Sequence, residues 1–93
     1  CAALVKPSEV TPRFVEPMRA VLAQVPELPL AYVMGGPEVG QALIEEVDYV
    51  CFTGSTATGR KVAEAAARQL IPANLELGGK DPMIVLESVD PHW

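Results

Sequence analysis

No stretch of this sequence is basic enough to grip a polyanion, and none stays apolar long enough to cross a bilayer. Its 7 lysines and arginines are scattered among 12 acidic residues, for a formal charge of −5. Nucleic acid and an anionic membrane surface are therefore poor partners. Signal-peptide and lipidation patterns are missing as well, which makes the cytoplasm the expected location. Cysteine is scarce: Cys1 and Cys51 have neither CxxC spacing nor a neighbouring histidine. That excludes a metal site and a disulfide framework. Both cysteines are expected as small apolar residues in buried strands. The lone His92 is expected at the surface. Internal repeats and low-complexity segments are also lacking.

What is present is an ordinary globular mixture, 49 % apolar and 20 % charged over 93 residues, enough for one domain at most. The sequence opens inside one apolar run and stops shortly after another, whereas domains more often begin and end in polar segments. An excerpt of a longer protein is the expectation.

Short apolar runs alternate with helical patterns. Cys1–Val5 ends at Lys6-Pro7 and predicts a strand. From Thr11, a plausible N-cap before Pro12, the residues Phe14, Val15, Met18, Val21, Leu22 and Val25 keep three-and-four spacing. That spacing marks one buried helical face, which Pro17 should kink. Leu30–Met34 predicts a second strand, closed by Gly35-Gly36-Pro37, and Glu38–Glu46 a second helix. Tyr49–Phe52 predicts a third strand running into Thr53-Gly54-Ser55. A long helix follows from Thr56 to Leu70, ended by Pro72. Its inner face would carry Val62, Ala63, Ala66 and Leu70, and Glu64 and Arg68 would pair on its outer side. Leu75–Leu77 and Met83–Leu86 are the last strand candidates.

Uniformly apolar strands between amphipathic helices indicate α/β architecture, a Rossmann-like parallel sheet with flanking helices. Right-handed crossovers place every strand-to-helix loop on one edge of such a sheet, where ligands bind. The loops Lys6–Glu9, Gly35–Glu38 and Thr53–Thr56 therefore share one rim.

Three segments on or near that rim carry chemistry. In Thr53-Gly54-Ser55-Thr56-Ala57-Thr58-Gly59, a strand opens into small residues and then a helix, so free amides meet the positive end of a helix dipole. That suits a phosphate. Neither G-x-G-x-x-G nor a full P-loop is matched, and a helix capped by Ser55 or Thr56 is the plainer alternative. In Lys6-Pro7-Ser8-Glu9, a lysine and a carboxylate on a stiff turn could bind sugar hydroxyls, or the turn could simply be solvated. Glu76 interrupts an apolar strand just before Gly78-Gly79. Either it is buried as a general base, or it faces solvent or pairs with Lys80.

The stretches Lys6-Pro7-Ser8-Glu9-Val10-Thr11-Pro12, Phe52-Thr53-Gly54-Ser55-Thr56-Ala57-Thr58-Gly59 and Leu75-Glu76-Leu77-Gly78-Gly79-Lys80-Asp81-Pro82 occur in the order and spacing of the aldehyde dehydrogenase superfamily. The sequence resembles that family over nearly its whole length. The resemblance implies that residues 1–93 form part of an NAD(P)-binding domain, with the nucleophilic cysteine and the oligomerisation segments elsewhere in a homo-oligomeric parent. It implies that Lys6, Ser8 and Glu9 meet the adenosine ribose, with Glu9 favouring NAD over NADP. Gly35 and Gly36 would lie beside the adenine, and Gly54 and Ser55 at the pyrophosphate. Leu77 and Gly78 would meet the nicotinamide, and Glu76 would be the general base. The implied reaction oxidises an aldehyde through a cysteine-bound thioester. Acylating or acyl-phosphate reductases of the superfamily, and a non-catalytic nucleotide-binding relative, are the alternatives.

Overall fold

A computed structural model describes residues 1–89, so Asp90–Trp93, His92 among them, lie outside the described residues. Strands and helices alternate along the chain. The strands are β1 (Ala3–Val5), β2 (Leu30–Tyr32), β3 (Val50–Gly54) and β4 (Ala73–Leu77). The helices between them are α1 (Val15–Leu22), α2 (Pro37–Glu45) and α3 (Thr56–Arg68). A single 3₁₀ turn, Pro12–Phe14, leads into α1. All strand pairing is parallel, as the α/β reading requires.

Instead of one continuous sheet, the described residues form two pairs, β1 with β2 and β3 with β4. In the first, Val5 is opposite Tyr32; in the second, Thr53 is opposite Glu76 and Gly54 opposite Leu77. Helix α3 packs on both β3 and β4, and α2 packs on α3. No backbone or side-chain hydrogen bond joins the two strand pairs among the described residues.

The core is small. Val15, Ile44 and Ala66 are its buried apolar side chains, and the radius of gyration is 17.4 Å, against roughly 12 Å for a compact chain of this length. Exposure is the reason for several departures from the sequence reading. Cys1 and Cys51 are both exposed, not buried: Cys1 precedes β1, and along β3 the half-buried positions are Val50, Phe52 and Gly54, the intervening Cys51 and Thr53 belonging to the opposite, uncovered face. Met83–Leu86 forms no strand and is exposed throughout, because no neighbouring edge takes its backbone groups. On α1 the expected apolar face buries Val15 alone. Phe14, Met18, Val21 and Val25 remain exposed, although Phe14 meets the Tyr32 ring edge-on, with centroids 6.4 Å apart.

Local rules account for the helix ends. Pro17 does not kink α1, because the helix proper starts at Val15 and Pro17 falls in its first turn, where amide donors have no intrahelical partner to lose. Thr11 makes no side-chain cap. Helix α3 ends before Leu70, which has φ +58° and is 93 % exposed, so it does not belong to the inner face. The Leu70 N–H donates to Ala67 O and the Ile71 N–H to Ala66 O, each at 3.1 Å. This pair of bonds is a Schellman closure with leucine where glycine is usual. The Glu64–Arg68 pair does not form; the ion pairs of the described residues are Lys6–Glu9 and Glu16–Arg19.

Candidate functional site

Each segment singled out from the sequence lies at the C-terminal end of a strand. After β1, the Lys6 ammonium donates to three acceptors: Gly35 O at 2.9 Å, Pro7 O at 3.0 Å and Glu9 Oε2 at 3.5 Å. The turns after β1 and β2 are thereby tied together. The Glu9 side chain is exposed, and its pKa is lowered by a bond from its own backbone amide and by the Lys6 charge. It therefore presents an anionic acceptor to solvent. Ser8 is used locally, its Oγ accepting from the Val10 N–H at 3.2 Å. That bond shapes the turn and leaves the Ser8 O–H free to donate.

After β2, Gly35 takes φ +152°, and a Cβ there would run into Val39. Both the backbone and the space require glycine at that position. Gly36 caps α2, and its N–H donates to Glu38 Oε1 at 3.1 Å. With a carboxylate already on this helix start, the Gly35–Gly36 turn suits a neutral group better than a phosphate.

After β3, Ser55 is the N-cap of α3. Its Oγ accepts from the Thr58 N–H at 3.2 Å and donates to Thr58 Oγ1 at 3.0 Å. The plainer capping alternative is thus realised, and it leaves the turn compatible with an anion. Ser55 and Thr58 are both exposed, and of the first-turn amides of the 13-residue helix α3 only Thr58 is taken by the cap. Thr58 was not singled out from the sequence, although the Ser-x-x-Thr spacing was the available signal.

At the end of β4, Glu76 is exposed and makes no ion pair with Lys80 among the described residues. The burial expected for Glu76 is not found in this chain. Leu77 lies opposite Gly54, which brings the phosphate-loop candidate and the Glu76-Leu77-Gly78 segment side by side. A Cβ built on Gly78 or Gly79 would meet nothing within 4 Å. The site is therefore split. Lys6, Glu9 and Gly35 form one cluster, Gly54, Ser55, Glu76 and Leu77 the other, and the packing of α2 on α3 relates them.

Two shallow hollows elsewhere carry no part of this rim. One, about 200 Å³, is lined by Gln41, Lys61, Glu64, Ala65 and Arg68, and the other, about 330 Å³, by Val10–Phe14. Their walls are exposed side chains without converging buried polar groups, so the strand-end rim is the better candidate. No group of metal-ligating residues occurs among the described residues, and no described helix is long and apolar enough to cross a membrane.

The carboxyl ends of parallel strands are where open α/β sheets bind their ligands. The family model described as "Aldehyde dehydrogenase family" matches residues 1–92, and the chain belongs to that family. It is 44 % identical over 91 residues to human aldehyde dehydrogenase family 3 member B1, covering 96 % of this chain and 19 % of that protein. The structure of PutA from Anabaena variabilis superposes with a TM-score of 0.84 at 66 % identity, over 95 % of this chain and 19 % of that one. A Mycobacterium tuberculosis aldehyde dehydrogenase complexed with NAD+ gives a TM-score of 0.79 at 45 % identity, over 97 % and 20 %. The chain thus spans about a fifth of the length of the relatives it matches.

Proposed function

We propose that residues 1–93 are part of the NAD(P)-binding domain of a longer aldehyde dehydrogenase, which oxidises an aldehyde to the carboxylic acid. In this reading NAD, when bound, supplies the hydride acceptor. The Glu9 carboxylate accepts from the ribose hydroxyls and repels a 2′-phosphate, which favours NAD over NADP. Lys6 holds Glu9 and Gly35 in place, Gly35 and Gly36 flank the adenine, and Gly54 with Ser55 and the start of α3 faces the pyrophosphate. The Leu77 carbonyl, followed by the unobstructed Gly78, accepts from the nicotinamide carboxamide.

Glu76 takes the proton from the water that cleaves the cysteine-bound thioester. The nucleophile belongs to another segment: neither Cys1 nor Cys51 lies at the strand-end rim, Cys51 falling inside β3 opposite Asn74. Coverage by other parts of the protein would supply the desolvation that Glu76 lacks in this chain. The carrying observation is the β3–β4 register, which sets Glu76 and Leu77 beside Thr53 and Gly54.

The names of the relatives span coniferyl aldehyde, aminoaldehyde and geranial dehydrogenases. This segment thus accompanies chemically different substrates, so the choice of aldehyde is made outside it. The test is reduction of NAD by the full-length protein with coniferyl aldehyde, geranial and betaine aldehyde. Aldehyde-dependent NADH formation with acid as product upholds the reading. A protein that binds no nicotinamide nucleotide contradicts it.

A further inference from the structure

One peptide unit at the start of α2 is held from both sides by charged groups. The carbonyl of the Gly35–Gly36 peptide accepts from the Lys6 ammonium at 2.9 Å, and its N–H donates to Glu38 Oε1 at 3.1 Å. The two groups of a trans peptide point in opposite directions, so Lys6 and Glu38 stand on opposite sides of the turn after β2. The Lys6 stem also lies along α2: a Cβ on Gly40 would meet its Cε at 3.5 Å and its Cδ at 3.6 Å. At position 36 a Cβ would come within 2.7 Å of Glu38 Oε2 and 3.0 Å of Oε1. The carboxylate therefore lies back over the turn, in space that a side chain at position 36 would take.

Glu9 belongs to the same constellation, because the ammonium that holds Gly35 O also holds Glu9 Oε2 at 3.5 Å. A ribose bound by Glu9 has its 2′-position beside this peptide. A 2′-phosphate there needs cations and free amides. The turn has one of each, and both are engaged. The three protons of Lys6 go to Gly35 O, Pro7 O and Glu9, and the Gly36 N–H goes to Glu38. Glu38 also sets a second negative charge at a helix start whose dipole would otherwise favour an anion.

We infer that Glu38 is a second determinant of cofactor choice beside Glu9: it occupies the Gly36 amide, places a carboxylate over the turn, and so keeps the 2′-phosphate of NADP from the start of α2. NAD carries a hydroxyl at that position and meets no such repulsion. This rests on the ribose role proposed for Glu9 and adds a residue that sharpens the same discrimination from the opposite side of the turn.

The test is calorimetric binding of NAD and of NADP to the full-length protein at about pH 8, where the 2′-phosphate is fully ionised. Glu38→Gln keeps a carbonyl acceptor for the Gly36 N–H and removes the charge. Its affinity for NADP should rise about three- to tenfold, the scale of one charge acting on a phosphate across several ångströms of solvated turn. NAD affinity should stay within about twofold. The gain should shrink as salt is raised from about 0.05 to 0.5 M, because the pair is exposed and screened. Glu9→Gln/Glu38→Gln should favour NADP more than Glu9→Gln does. Glu45→Gln, an equal change of net charge at the other end of α2, should alter neither affinity.

Unchanged NADP affinity in Glu38→Gln, an equal change for both cofactors, or the same gain in Glu45→Gln overturns the inference. Should Glu38→Gln fail to fold, Glu38→Ser, a residue suited to a first helical turn, carries the same expectation and the same refutations. A wild-type protein that binds neither nucleotide overturns the functional reading and this inference with it. NAD binding with an unmoved preference overturns this inference alone.

Discussion

The Lys6 ammonium lies 2.9 Å from the Gly35 carbonyl oxygen and 3.5 Å from the Glu9 carboxylate, so one side chain joins the turns after β1 and β2. Lys6→Met in the full-length protein removes a charge-assisted bond from a side chain only 20 % exposed. The expected cost is about 1–2 kcal/mol, read as a lower melting temperature together with weaker NAD binding. Unchanged melting would mean that the Gly35 turn holds without Lys6.

Glu9→Gln should weaken NAD binding by roughly tenfold while leaving NADP binding equal or improved, because the amide still hydrogen-bonds but no longer repels a phosphate. The pH dependence has a definite sign. The Glu9 pKa is lowered by its own backbone amide and by Lys6, so the Lys6–Glu9 attraction is present above the ordinary carboxylate value and is lost as pH falls through the lowered one. Glu9's contribution to the preference for NAD should therefore be flat between about pH 7.5 and 9, above the second ionisation of the 2′-phosphate near pH 6. Titration of both cofactors across that range checks it. A preference carried by Glu9 that changes within the range would contradict an already ionised carboxylate.

Leu70→Gly should stabilise the protein. Leu70 holds φ +58° in the closure of α3 and is 93 % exposed, so it bears left-handed strain with almost no burial to offset it. Glycine relieves that strain, and a gain of up to about 1 kcal/mol is expected in urea unfolding of the full-length protein. A loss would show that the Leu70 side chain is packed there by another segment.

The isolated 93-residue chain should associate in dilute buffer. Its apolar side chains at Leu70 and Met83–Leu86 are exposed, its strand pairs keep open edges, and its radius of gyration is 17.4 Å. Light scattering coupled to size exclusion measures this directly. A monomer with a cooperative melt would establish an independent domain.

The local order of elements was legible because each depends on near neighbours. Strand β3, the Ser55 cap and α3 follow from an apolar run, a hydroxyl and a three-and-four pattern within residues 50–68. What depends on distant partners was not legible. Periodicity cannot say whether an apolar face finds a cover, so Cys51, Met18 and Met83–Leu86 were expected inside or paired and are exposed. Nor could it reveal that Lys6 reaches Gly35, which is 29 residues away, or that Gly59 meets Leu77. Leucine in the closure at position 70 breaks the glycine rule for helix ends, and the three-and-four pattern therefore ran two residues too far.

Rapid mixing of the Glu76→Gln full-length protein with NAD and aldehyde shows whether Glu76 activates the water of the hydrolytic step. Glutamine keeps size and hydrogen bonding but accepts no proton, so steady turnover should fall about a hundred- to ten-thousand-fold. NAD binding should survive, since the Lys6, Glu9 and Ser55 contacts are unchanged. A fast burst of NADH approaching one per active site, then a slow phase, is expected. Turnover at the wild-type rate would contradict it and leave Glu76 a solvent-facing carboxylate at the end of β4.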